Sequence, residues 1–275
     1  MVDLIALQMT SSASIAENLD KAERLIAAAR VNTQHPALLV LPECFSQFGC
    51  AGASMLEHAE PKSVDATVQA RLSALAKRYN LYLIGGTVAL KGDNSHRYHA
   101  ASLVYDPSGK CISQYNKMHL FDVEVDDNTR SYKESKYTLA GKHLAKFDSP
   151  WGFVGQAVCY DLRFAKMFDA LMPANVMVLP SAFTYTTGKA HWHALLQARS
   201  IELQCYIVAA NQVGIHADGR KTFGHSCVYS PWGECLSVIE QDEGWASARF
   251  DKKQLEDIRA NMPIASHKKE RYEFE

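Results

Sequence analysis

Short apolar runs that stop at turn residues, with amphipathic stretches set between them, restrict this chain more than any other feature. The runs are 4–8, 37–41, 82–86, 101–105, 154–159, 176–179, 206–211 and 226–229. Each is too short for a buried helix and reads as a strand. Between them, Ser14-Ile-Ala-Glu17 looks like a capping box opening a helix to about Ala29, with Leu19, Ala22, Leu25 and Ile26 on one face. Stretches 65–79 and 189–205 carry the same period, the second through Leu195, Leu196, Ile201 and Leu203, and 251–259 is a shorter candidate. Three hairpins share one turn grammar, Pro at the second position and Gly closing: Asp106-Pro-Ser-Gly109, Ser149-Pro-Trp-Gly152 and Ser230-Pro-Trp-Gly233. Alternating strands and helices with hairpins added predict a mixed sheet covered by helices, an α/β sandwich.

No linker, low-complexity tract or charge block divides the 275 residues, and 47% are hydrophobic, so one domain spanning 1–275 with a sizeable core is expected. A formal net charge of −1 gives no field for a nucleic acid and favours a small substrate. No apolar run approaches the roughly 18 residues of a membrane helix, and Met1-Val-Asp-Leu-Ile-Ala carries an early acid in place of a basic leader. Seven scattered cysteines without CxxC or Cys/His metal spacing suggest reduced thiols in a cytoplasmic protein, with no metal. His191 and His193, two apart on an expected helix, face different ways.

Chemistry is expected where a reactive side chain ends a buried run. Ala37-Leu-Leu-Val-Leu-Pro-Glu43 delivers a carboxylate to the lip of the core, where lost hydration suits it to proton transfer. Gln114-Tyr-Asn-Lys117-Met-His-Leu-Phe121 sets an ammonium among apolar neighbours, where it needs an acid or a developing oxyanion. Val154-Gly-Gln-Ala-Val-Cys159-Tyr-Asp-Leu-Arg163 ends a small-residue strand at a thiol, before an expected helix over 162–171. There the Tyr160 N–H can face an oxyanion. Taken singly, each has a plain structural alternative: a loop acid, a surface lysine with a packed stem, an inert buried cysteine.

Together, Leu41-Pro-Glu-Cys-Phe45, Tyr115-Asn-Lys-Met-His-Leu-Phe-Asp122 and Val158-Cys-Tyr-Asp-Leu-Arg-Phe164 resemble the nitrilase, or carbon–nitrogen hydrolase, superfamily, which carries a Glu–Lys–Cys triad in this order. The resemblance implies a four-layer αββα sandwich, Glu43 as base, Lys117 as oxyanion partner and Cys159 as nucleophile, with no cofactor. It implies a second pocket glutamate at Glu134 in Tyr132-Lys-Glu-Ser135, with Glu124 the nearby alternative, and a structural ion pair for Arg163.

Leu179-Pro-Ser-Ala-Phe-Thr184, Thr187-Gly-Lys-Ala-His-Trp192 and Phe223-Gly-His-Ser226 look most like the deaminated glutathione amidase branch, which implies cleavage to 2-oxoglutarate and cysteinylglycine. Ala165, Lys166 and Lys189 depart from the family pattern near the pocket rim. Tyr160, Thr184, Tyr185, Thr187 and Arg199, together with Lys189, are candidates to bind substrate. The alternatives are an ω-amidase acting on 2-oxoglutaramate, an N-carbamoyl amide hydrolase, a catalytically silent binding protein, or a thiol redox sensor pairing Cys159 with Cys44 or Cys205. The family also implies a homodimer or higher homo-oligomer, with the charged tail 266–275 reaching a partner subunit.

Overall fold

The computed structural model describes residues 2–31, 35–92, 96–127, 129 and 131–269. Two mixed sheets face each other. The first runs in the order Gly244–Arg249, Asp3–Gln8, Ala37–Val40, Leu81–Ile84, Tyr98–Tyr105, Val88–Lys91, with Cys111–Asn116 also paired to Tyr98–Tyr105. The second runs Cys235–Ile239, Ser226–Tyr229, Tyr206–Asn211, Val176–Ser181, Gly152–Gln156, Ala145–Ser149. In each, three central strands are parallel and their flanks antiparallel.

Strand alternation explains the layers. In Asp3–Gln8, Leu4 and Ala6 enter the core between the sheets, while Ile5 and Leu7 pack outward with Leu19, Ala22 and Ile26 of the helix Ile15–Ala29. In Val176–Ser181, Val176 and Val178 face the first sheet, while Met177 and Leu179 pack with Trp192 and Leu196 of the helix Tyr185–Leu203. A strand covered on both faces needs apolar residues at successive positions, hence the unbroken runs in the sequence. Each fully buried Leu, Ile or Val contributes about 1.5–3 kcal/mol. The result is the αββα sandwich.

All three expected hairpins form, with Gly109, Gly152 and Gly233 at positive φ. Other expectations need correction. Ser14 accepts from the Glu17 N–H, but the Glu17 carboxylate takes the Ser12 hydroxyl, so the reciprocal half of the capping box is absent. The helix expected over 189–205 starts earlier, at Tyr185, because the Thr184 hydroxyl caps the Thr187 N–H. The run 154–159 leaves the sheet after Gln156, and the helix expected over 162–171 is split into a 3-10 turn, Cys159–Arg163, and a short helix, Ala165–Asp169. The helical turn Ile264–His267 runs into the charged tail, of which 270–275 lie outside the described residues.

Candidate active site

Both sheets direct the carboxyl ends of their parallel strands to one region, the usual place for a site in an α/β fold. Glu43 follows Ala37–Val40, Lys117 follows Cys111–Asn116, and Cys159 stands beyond Gly152–Gln156. Glu134 opens the 3-10 turn Glu134–Lys136. Close packing of backbone sets the Glu43 loop. Gly86 has φ +51, and a Cβ there would lie 2.1 Å from the Pro42 carbonyl oxygen.

These four side chains meet. Lys117 Nζ lies 2.8 Å from Glu43 Oε1 and 2.8 and 3.1 Å from the two oxygens of Glu134. The lysine is 2% exposed. Burial opposes its charge, but the carboxylates of Glu134 and Glu43, with Cys159, hold the ammonium well above its ordinary range. Burial pushes Glu134 up against the pull of Lys117. Its Oε2 also accepts the Phe121 N–H at 2.7 Å. Glu124 sits exposed on the strand Asp122–Glu124, so Glu134 is the second glutamate of the cluster.

Cys159 has φ +48, a backbone conformation that few non-glycine residues adopt and that is common at functional turns. It lines the same cavity as Glu43 and Lys117. Burial, then the Glu43 charge, push the thiol well above its ordinary range, against Lys117 and a hydrogen bond from the Ala182 N–H. The resting sulfur is therefore a thiol, with the Glu43 carboxylate near it to take its proton. Behind it, buried Asp161 accepts the Val158 N–H, the His119 N–H, His119 Nδ1–H and the Tyr115 hydroxyl at 2.9, 3.1, 2.7 and 2.7 Å. One carboxylate thus ties the nucleophile turn to the segment carrying Lys117.

The cluster floors a cavity of about 420 Å³. Tyr160, Thr184 and Thr187, three of the candidates to bind substrate, line it. Tyr185, Lys189 and Arg199 do not. Tyr185 packs edge-on against Phe223 under the Lys221 ammonium, and Lys189 points to solvent. Arg199 lies about 18 Å along the helix from Thr187 at 1.5 Å per residue. It pairs with Glu202 and covers Phe168. Arg163 forms no ion pair among the described residues; it lines the cavity, stacks near Tyr160 and Phe183, and touches His191 Nδ1 at 3.3 Å. Cys44 lines the cavity beside Cys159, whereas Cys205 is buried in the outer core.

Part of the wall was missed from the sequence. The short hairpin Val213–Ile215 with Lys221–Phe223 brings Asp218, Arg220, Lys221 and Thr222 to the cavity. Its strands are too short to show a period, but Asp218-Gly219 between Val213, Ile215, Thr222 and Phe223 is a hairpin signal. No cluster of three or more His, Cys, Asp or Glu among the described residues is arranged to hold a metal, and no helix there is long and apolar enough to cross a membrane.

A profile of carbon–nitrogen hydrolases matches residues 5–260. The chain belongs to that family. It is 37% identical over 270 residues to a deaminated glutathione amidase of Synechocystis, covering 96% of each chain. It is 36% identical to the bovine omega-amidase NIT2, covering 99% of this chain and 96% of that one. Yeast Nit3, a solved member of branch 10 of the nitrilase superfamily, superposes with a TM-score of 0.87 at 26% identity, over 98% of this chain and 97% of its own. Such a carbon–nitrogen hydrolase acts on amide bonds.

Proposed function

We propose that this hydrolase cleaves deaminated glutathione to 2-oxoglutarate and cysteinylglycine through a thioester on Cys159. The observation that carries the mechanism is the buried Lys117, 2.8 Å from both Glu43 and Glu134, on the cavity that Cys159 also lines. Glu43 takes the thiol proton as sulfur attacks the amide carbon. Lys117 and the Tyr160 N–H stabilise the oxyanion, each donor contributing about 3 kcal/mol. Glu43 then protonates the departing amine, and the amide C–N bond breaks. Water, deprotonated by Glu43, cleaves the thioester and restores the thiol. Glu134 holds Lys117 in place and completes its charge.

The substrate reading draws support from charge. Deaminated glutathione carries two carboxylates, and Arg163 and Lys221 line the cavity with no acid partner among the described residues. A cavity of about 420 Å³ falls within the range for small-molecule sites. The ω-amidase relatives support a second reading, with 2-oxoglutaramate as substrate. We further propose one domain, a cytoplasmic setting that suits seven free cysteines, and a homo-oligomer covering exposed Ile201, Trp232 and Met262.

The test is 2-oxoglutarate release from deaminated glutathione and from 2-oxoglutaramate, with Cys159→Ala as control. Faster turnover of the larger substrate, abolished in the variant, is expected. Preference for the small amide would move the assignment to ω-amidase. Release that survives Cys159→Ala would overturn the mechanism.

A further inference from the structure

Arg220 is held more firmly than a cavity-lining arginine needs to be for packing alone. Its Nε donates to Asp218 Oδ2 at 2.6 Å, while its backbone N–H donates to Asp218 Oδ1 at 3.1 Å. Its guanidinium lies 4.3 Å from the centroid of Phe48, a buried ring that also lines the cavity. On that ring, the His216 imidazole sits edge-on with centroids 4.4 Å apart. His216 is itself pinned, through Nδ1 to the Ser11 carbonyl at 3.0 Å and Nε2 to the Thr222 hydroxyl at 2.8 Å, and its backbone N–H donates to the Arg220 carbonyl at 2.9 Å. Burial lowers the affinity of His216 for a second proton, so it serves as a neutral clamp. The terminal nitrogens of Arg220 have no acceptor among the described residues. A planar fork, oriented at Nε and by stacking, is thus left open at its outer edge, the edge that binds a carboxylate through two parallel bonds.

The fold says which half of a substrate meets this fork. Glu43 must reach the departing nitrogen to protonate it, so the leaving group lies on the Glu43 side. The loop carrying Glu43 continues to Phe48, on which Arg220 rests. Arg163, the other arginine of the wall, belongs instead to the nucleophile turn Cys159–Arg163. We propose that Arg220 reads a carboxylate on the departing amine half, making the enzyme selective for an anionic amine leaving group, such as an amino acid or dipeptide, over ammonia. This rests on the amidase reading above.

The experiment compares deaminated glutathione with the same molecule whose glycyl carboxylate is capped as a primary amide. Turnover is followed by 2-oxoglutarate release in wild type, Arg220→Gln and Arg220→Lys. The fraction of chains alkylated at Cys159 by iodoacetamide counts intact sites independently of turnover. A charge-assisted pair predicts a wild-type kcat/KM ratio of acid to amide of about 10- to 100-fold, carried mainly in KM. In Arg220→Gln the ratio falls to within about threefold of unity. In Arg220→Lys, which keeps charge and loses the fork, it is intermediate. A wild-type ratio near one, or a ratio that persists in Arg220→Gln, overturns the proposal while leaving the amidase reading in place. Equal losses on both substrates in Arg220→Gln and Arg220→Lys also overturn it, because the residue is then structural. No 2-oxoglutarate from either substrate with wild-type enzyme overturns the substrate reading beneath it.

Discussion

Replacing Lys117 with Met keeps most of the side chain's length and removes its charge from a site that is almost closed to water. The ammonium contacts Glu43 at 2.8 Å and Glu134 at 2.8 Å, and no other cation contacts either carboxylate among the described residues. Removing one member of a buried ionic cluster typically costs about 3–5 kcal/mol, because the remaining charges are left desolvated. The cost has a pH signature. Burial already pushes Glu134 up and Lys117 restrains it. Without the lysine, the folded Glu134 retains its proton to higher pH than the unfolded chain, where a glutamate titrates near about 4.3. Between those two values the native state binds more protons. The variant therefore loses stability as pH rises, by up to about 1.4 kcal/mol per pH unit for this one group. Urea unfolding of wild type and Lys117→Met at pH 5 and pH 8 measures both effects. A deficit of about 3–5 kcal/mol is expected at pH 8, smaller by at least about 1 kcal/mol at pH 5. A variant as stable as wild type at pH 8, or a deficit equal at both pH values, would refute the reasoning.

With Cys159 pushed up by burial and by Glu43, the difference in thiolate absorbance near 240 nm between wild type and Cys159→Ser should show no step below about pH 9. A step near neutrality would mean that the resting nucleophile is already ionised. Asp161→Asn cannot accept all four of its hydrogen bonds, and a loss of about 3 kcal/mol by chemical denaturation with at least a tenfold drop in kcat is expected. Normal stability and turnover would show that the nucleophile turn holds itself. Gly86→Ala puts a Cβ into the Pro42 carbonyl at a strained positive φ, so a cost of at least about 1–3 kcal/mol and weakened turnover are expected. An unchanged melting temperature would show that this loop yields easily.

The layers of the fold were legible because they follow from local rules. Unbroken apolar runs report strands covered on both faces, Pro and Gly at fixed turn positions report hairpins, and Ser14 and Asp251 cap the helices they precede. The reactive residues were visible individually, but their meaning was not. Glu43, Lys117, Glu134 and Cys159 come from four separate segments, and only resemblance to family motifs brought those of Glu43, Lys117 and Cys159 together in the sequence. The choice between Glu134 and Glu124 needed the fold, because one ends a short polar strand and the other follows its partner strand, and Glu134 is the one that reaches Lys117.

The substrate wall was the least legible part. Arg199 and Tyr185 share a helix with Thr187, but helical rise and rotation carry both away from the cavity. Arg220 instead arrives on a hairpin whose strands are three residues each, and its position depends on Phe48, His216 and Ser11, which are distant in sequence. The sequence by itself determined the periodicity, the turns and the inventory of reactive groups, since these depend on neighbours within a few residues. The tertiary structure alone decided which charges are desolvated together and which arginines face the cavity, since burial and Coulomb energy depend on distance in space.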